Sequence, residues 1–195
     1  VIDTSTLTVS STIASVGTNP SGLLLDDANN RLYVATQNML VIIDPSTDTV
    51  ADSISLGLSG HNSSGIALDS TTGLLYVGNN ATGEIKVIDT ATDMVSSTFT
   101  PGGEPRGLAL TPDNTALYML DSANDQTLVL DPATGVVNDT IAVGPEPEAR
   151  GNFIVDAPLG LPESRSIPTL SMAGLLAAAL LMLTAGGWMA HRRMN

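Results

Sequence analysis

The chain has 195 residues, 20 of them acidic against 7 basic, a net charge of −13 and no cysteine. That balance repels nucleic acid and anionic lipid headgroups, so a nucleic-acid partner is excluded, and the missing thiols exclude disulfides and Cys/His nucleophilic sites. Length permits one domain with a sizeable core, whose stability must come from burial and repetition.

Reading from the N-terminus, a unit of about forty residues recurs. Val1-Ile2-Asp3-Thr4, Ile42-Ile43-Asp44-Pro45, Val87-Ile88-Asp89-Thr90 and Val129-Leu130-Asp131-Pro132 align, with their aspartates 41, 45 and 42 residues apart. Gly22, Gly65 and Gly107 precede apolar runs, and Tyr33-Val34, Tyr76-Val77 and Tyr118-Met119 follow at a constant step. Fixed self-similarity at this period marks a solenoid, propeller or array. Within a unit, short β-branched runs alternate with turn formers, which predicts strands over Gly65 to Leu68, Leu74 to Gly78, Glu84 to Ile88 and Met94 to Thr98.

Four antiparallel strands every forty-odd residues make a propeller blade. The fold class is therefore all-β, a propeller of four-stranded antiparallel blades over residues 1–155. The first strand of each unit, small and apolar, suits the innermost place between neighbouring blades; the fourth, such as Val95-Ser96-Ser97-Thr98-Phe99, suits a wetter outer edge. Val1 enters at a third strand, three full blades follow at about 20 to 59, 62 to 101 and 104 to 144, and Gly151-Asn152-Phe153-Ile154-Val155 reads as a last inner strand. Propellers close with four to eight blades, so the expectation is a partial ring of about three full blades plus end strands, with apolar faces at the cut. A start at Val1 without a signal peptide fits a fragment whose upstream part is missing.

The motifs Tyr76-Val77-Gly78-Asn79, Val87-Ile88-Asp89-Thr90-Ala91-Thr92 and Pro105-Arg106-Gly107-Leu108-Ala109-Leu110-Thr111-Pro112-Asp113 resemble the YVTN β-propeller repeats of bacterial and archaeal surface proteins. The resemblance covers Val1 to about Val155 and implies a larger ring of about seven blades. Tyr33-Val34-Ala35-Thr36 and Tyr118-Met119-Leu120-Asp121 carry other residues where the motif has asparagine.

Residues able to do chemistry are few. His61 is the one histidine before the C-terminal segment; Ser59, Ser63 and Ser64 lie beside it without the glycine spacing of a nucleophile elbow, so it reads as a polar loop residue. Zinc, haem and iron sites lack ligands. Asp26-Asp27-Ala28-Asn29-Asn30 and Asp121-Ser122-Ala123-Asn124-Asp125 gather hard oxygen donors suited to calcium, but neither is an EF-hand loop, and Asp and Asn also close β-turns on their own backbone. Asp3, Asp44, Asp89 and Asp131 recur in every unit and are read as turn-forming residues, since a catalytic carboxylate normally occurs once. No catalytic or cofactor-binding residue is assigned.

Asp156 to Ser166 contains Pro158, Gly160 and Pro162 and reads as an extended spacer. Beyond it the sequence changes character. Leu170 to Ala190 carries no charge, and as a helix at about 1.5 Å per residue it just crosses a hydrocarbon core of about 30 Å. Arg192 and Arg193 abut this span and hold that end in the cytoplasm, which puts residues 1 to about 166 outside. Ile167-Pro168-Thr169-Leu170-Ser171, with Gly174, the apolar span and the terminal arginines, resembles the IPTL-CTERM sorting signal of Gram-negative bacteria. That resemblance implies an exosortase-type membrane protease as processing partner and release after cleavage near the motif. The expected function is a non-enzymatic surface or secreted propeller binding a protein, polysaccharide or matrix partner; the alternative is an exported, calcium-dependent lactonase-like hydrolase with part of its site in missing blades.

Overall fold

The computed structural model describes residues 1–57, 65–149 and 153–154. The expected spacer, sorting motif, apolar span and arginine pair lie outside the described residues, as do His61 with its three serines, and Gly151, Asn152 and Val155. Phe153 and Ile154 are described and neither is in a strand. Among the described residues no helix is long and apolar enough to cross a membrane.

Residues 1–156 form one compact unit. It opens with a two-stranded sheet, β1 (Ile2–Asp3) and β2 (Thr8–Val9). Three four-stranded antiparallel sheets follow in simple up-and-down order. The first comprises β3 (Gly22–Asp26), β4 (Arg31–Ala35), β5 (Met39–Asp44) and β6 (Thr49–Ser55). The second comprises β7 (Ile66–Asp69), β8 (Leu74–Asn79), β9 (Glu84–Asp89) and β10 (Met94–Phe99), and the third β11 (Pro105–Leu110), β12 (Leu117–Asp121), β13 (Gln126–Leu130) and β14 (Val137–Ala142). These are all-β sheets with the form of propeller blades.

Strands of the second blade extend one residue further than the apolar pattern predicts. Asp69 still pairs with Leu74, and Asp89 with Met94, while their carboxylates already serve the turn. The polar residue ends the hydrophobic run without ending the ladder.

The first strands β3, β7 and β11 meet from blade to blade, and β11 also reaches β8. Gly22, Gly65 and Gly107 lie at, just before and within these strands, and the packing shows why. A Cβ on Gly65 would lie 2.7 Å from the Leu108 nitrogen and 2.9 Å from the Gly107 carbonyl carbon. On Gly22 it would meet Ile66 Cγ2 at 3.2 Å, and on Gly107 the Ala149 oxygen at 3.1 Å. The absent side chain lets one blade's backbone seat the first apolar residue of the next.

The core therefore lies between blades. Tyr33, Leu40, Ile42 and Leu56 of the first blade pack with Ile66, Leu75, Val77 and Ile88 of the second. Tyr76, Ile85, Val87 and Phe99 of the second pack with Leu108, Leu117, Met119 and Leu130 of the third. Each buried leucine or isoleucine contributes about 1.5–3 kcal/mol.

Outer strands β6 and β10 are exposed at all but one position, and β14 at every one. In all three blades the register slips between the third and fourth strands, leaving Ala51, Ser96 and Asn138 unopposed. A bulge at the same place in every blade twists the free edge and discourages another strand from adding to it.

Gly65→Ala should lower unfolding free energy by about 1–3 kcal/mol through overpacking, read as a lower urea midpoint. Gly144→Ala, where an added Cβ meets nothing within 4 Å, should leave that midpoint unchanged.

Candidate functional site: the two loop-bearing ends of the blades

At one end of the blades lie the turns between first and second and between third and fourth strands. Asp3 Oδ1 accepts from the Ser5 nitrogen at 2.8 Å and its hydroxyl at 2.7 Å; Asp44 Oδ1 accepts from the same two groups of Ser46 at 2.8 and 2.6 Å. Asp89 Oδ1 accepts from the Ala91 nitrogen at 2.8 Å, and Asp131 Oδ1 from those of Ala133 and Thr134 at 2.9 Å each. The Ser5 and Ser46 bonds hold Asp3 and Asp44 below the usual carboxylate range, and the Thr134 and Ala133 amides do the same for Asp131. Four residues on from each aspartate, Leu7, Asp48, Asp93 and Gly135 share a positive φ of 55° to 72°.

Bonds between blades also cluster here. Arg31 clamps Asp93 in bidentate fashion, Nη1 to Oδ1 at 2.6 Å and Nη2 to Oδ2 at 3.1 Å, and Nη1 also donates to the Thr90 carbonyl at 3.2 Å. Tyr76 donates its hydroxyl to the Pro132 carbonyl at 2.9 Å, and burial pushes its pKa up to about 12. Tyr33 occupies the matching place one blade earlier, but Arg31 takes the Thr90 carbonyl that corresponds to Pro132, and the buried Tyr33 hydroxyl has no partner among the described residues. Tyr118 is half-buried on the third blade. Asn114 Nδ2 reaches back to Asp69 Oδ1 at 2.7 Å. Composition gave no sign of the Arg31 clamp; charge at position 31, where the other units have Leu74 and Ala116, was the available clue.

The opposite end carries the turns between second and third strands and the connections to the next blade. Thr36, Asn79 and Asp121 stand at the same repeat position there, all buried. Thr36 donates its hydroxyl to the Met39 carbonyl at 2.9 Å, and Asn79 Oδ1 accepts from the Ala81 nitrogen at 2.9 Å. Asp121 is fully engaged: Oδ1 accepts from the Glu104 and Ala123 nitrogens at 2.9 and 3.2 Å, Oδ2 from Asn124 Nδ2 and Gln126 Nε2 at 2.7 and 2.9 Å. Burial alone would raise its pKa, but these four donors outweigh it and the value is lowered. Gly103, with φ +74°, passes so close to this carboxylate that a Cβ would overlap it. Arg106 closes on Glu104 at 2.6 Å beside it.

Three buried polar atoms at this end have no partner among the described residues: Asn79 Nδ2, Asn80 Oδ1 and Ser122 Oγ. They lie on adjacent blades, screened from solvent. Nothing in the apolar periodicity distinguishes them; the non-matching tetrapeptide endings at Thr36 and Asp121 were the nearest signal.

In both oxygen-rich segments the leading aspartate is engaged by hydrogen bonds. Asp26 accepts from the Asn29 nitrogen and Nδ2 at 3.3 and 2.8 Å, and Asp121 has both oxygens filled. Among the described residues no group of three or more His, Cys, Asp or Glu is placed to hold a metal.

No family model matches the sequence, and no curated protein matches it. Solved structures do. Hydrazine synthase of Kuenenia stuttgartiensis superposes with a TM-score of 0.60 at 17% identity over 70% of this chain. The WD40 repeats of RRP9 give 0.57 at 17% over 64%, and the β-propeller domain of Cps50 (Swd1) from Myceliophteria thermophila 0.52 at 14% over 63%. The chain spans 39%, 39% and 38% of those chains. At such identity the likeness establishes the fold: this is a β-propeller-type chain.

Tyr76→Phe should cost about 1 kcal/mol by stranding the Pro132 carbonyl, whereas Tyr33→Phe should be neutral or stabilising because its hydroxyl is unpaired; urea midpoints separate the two. Asp69 and Asp121 titrate below the ordinary value in the folded state. Their contribution is therefore complete above the unfolded pKa of about 3.9 and is lost as pH falls through the lowered folded values. Stability against pH should be flat from neutrality to about pH 5 and fall below about pH 4. Asp121→Asn should cost about 2 kcal/mol at neutral pH and make that fall shallower.

Proposed function

We propose that this is an exported YVTN-type propeller that binds a protein, polysaccharide or matrix partner at the cell surface and does no chemistry. The observation that carries the binding reading is the propeller fold, whose recurrent polar residues serve the structure: Asp3, Asp44, Asp89 and Asp131 close their own turns through Oδ1. The acidic ectodomain keeps anionic partners away. The propeller fold supports this reading, since such rings commonly serve as interaction scaffolds.

Export is proposed from the C-terminal sequence. The uncharged stretch of Leu170 to Ala190, flanked by Arg192 and Arg193, supports a single inner-membrane span with residues 1–166 outside the cytoplasm. Ile167-Pro168-Thr169-Leu170-Ser171 and Gly174 support cleavage by an exosortase-type protease and release.

In the native host, the intact mass of the mature protein should lack the segment after the motif; a mass retaining Leu170 to Asn195 refutes processing and leaves a permanent anchor. Binding of the labelled ectodomain to host cells lacking the protein should be saturable and competed by unlabelled ectodomain; absence of saturable binding sinks the binding reading.

A further inference from the structure

The fourth strand of every full blade has an unopposed residue at its bulge, and the tripeptides that begin there are Ala51-Asp52-Ser53, Ser96-Ser97-Thr98 and Asn138-Asp139-Thr140. In the first and third blades the aspartate bonds the next residue in the same way: Asp52 Oδ1 accepts from the Ser53 nitrogen and Asp139 Oδ1 from the Thr140 nitrogen, each at 2.7 Å. In the second blade Ser96 donates its hydroxyl to the Val87 carbonyl at 3.1 Å. The Asn138 side chain has no such bond among the described residues. Alanine fills its place in the first blade, so the ladder has no need of an amide there. Asn138 and Thr140 both stand exposed, on a strand whose six residues are all exposed.

Asn138-Asp139-Thr140 is also an Asn-x-Thr tripeptide with a non-proline centre, the acceptor sequence for N-linked oligosaccharide in exported proteins. The chain holds two further matches, and the fold separates them from this one. Asn62-Ser63-Ser64 lies outside the described residues. Asn80-Ala81-Thr82 sits in a turn closed against the third blade, where Asn80 Oδ1 is buried and a Cβ on Gly83 would lie 2.8 Å from the Gly103 oxygen. We propose that Asn138 is a glycan acceptor, an inference that rests on the export reading above. In the transfer, Asn138 Nδ2 attacks the anomeric carbon of an oligosaccharide carried on polyprenyl diphosphate. The new C–N bond replaces the C–O bond to the diphosphate, which leaves with the bonding pair, and the amide proton passes to a carboxylate of the membrane-bound transferase. A sugar chain at this place covers the free edge of β14 and adds to what the bulge does there.

The test takes the protein from the exported fraction of the native host and sequences the peptides around Asn138 by mass spectrometry. An oligosaccharide on Asn138 is expected, with occupancy falling at least tenfold in Thr140→Val, retained in Thr140→Ser and unchanged in Asn80→Gln. Asn138→Gln should remove it altogether. Unmodified Asn138 in the exported protein overturns the proposal, and so does a modification that survives Thr140→Val. Retention in the cytoplasm instead refutes export, and the acceptor is then decided on the full chain in nonionic detergent, with a purified oligosaccharyltransferase and polyprenyl-diphosphate-linked oligosaccharide. Transfer to Asn138 upholds the site; no transfer overturns it.

Discussion

Everything in this fold depends on how closely the inner strands of neighbouring blades approach. Gly65 sets the limit, since a single added carbon would fall on the backbone of Leu108 and Gly107. With that carbon absent, the first apolar residue of one blade enters the preceding blade's inner strand, and the two sheets exclude water along their length. Each pairing of four-stranded sheets makes a core, and the other face of the first blade buries Val34, Val41 and Ile43 against Ile13 and Val16. Stability is then a sum over neighbouring interfaces, as in other repeat architectures.

Further out from the axis the interfaces differ. Between the first and second blades, Arg31 grips Asp93 and displaces Tyr33 from the carbonyl it would otherwise meet. Between the second and third, Tyr76 bonds Pro132 and its ring lies 6.2 Å from that of Phe99, against which Gly135 is packed. A Cβ on Gly135 would overlap the Phe99 ring, so the aspartate found at the equivalent Asp93 has no room there. One repeat position thus holds an ion pair in one interface and an aromatic contact in the next, and the two solutions are mutually exclusive. The Arg31–Asp93 pair is half-buried and keeps contact with solvent; ion pairs at the surface contribute roughly 0–1 kcal/mol, so its role is to orient the turn.

The two ends of the blades have divided the polar work. Aspartates at one end accept through Oδ1 from groups two and three residues ahead and close their own turns. At the other end the position shared by Thr36, Asn79 and Asp121 holds the turn in three ways, through a hydroxyl, an amide and a carboxylate. The carboxylate alone also fixes the incoming connection, through the Glu104 nitrogen. With an amide at that place in the second blade, Asn79 Nδ2 is left over.

Blade boundaries, strand order and the turn aspartates were legible because they rest on local physics: alternating apolar runs, turn formers, and side chains that bond backbone two residues away. Strand ends were read one residue short because Asp69 and Asp89 are polar yet still paired. The Arg31 clamp, the unpaired Tyr33 hydroxyl and the leftover polar atoms near Asn79 and Ser122 were not legible, since each depends on which blade packs against which. The repeat and the place of each strand within it follow from the chain alone, because hydrogen-bond ladders and hydrophobic periodicity are written along it. Which of several identical-looking positions is clamped by an ion pair, bonded by a tyrosine or left unpaired depends on packing between blades, because that follows from which blade stands beside which.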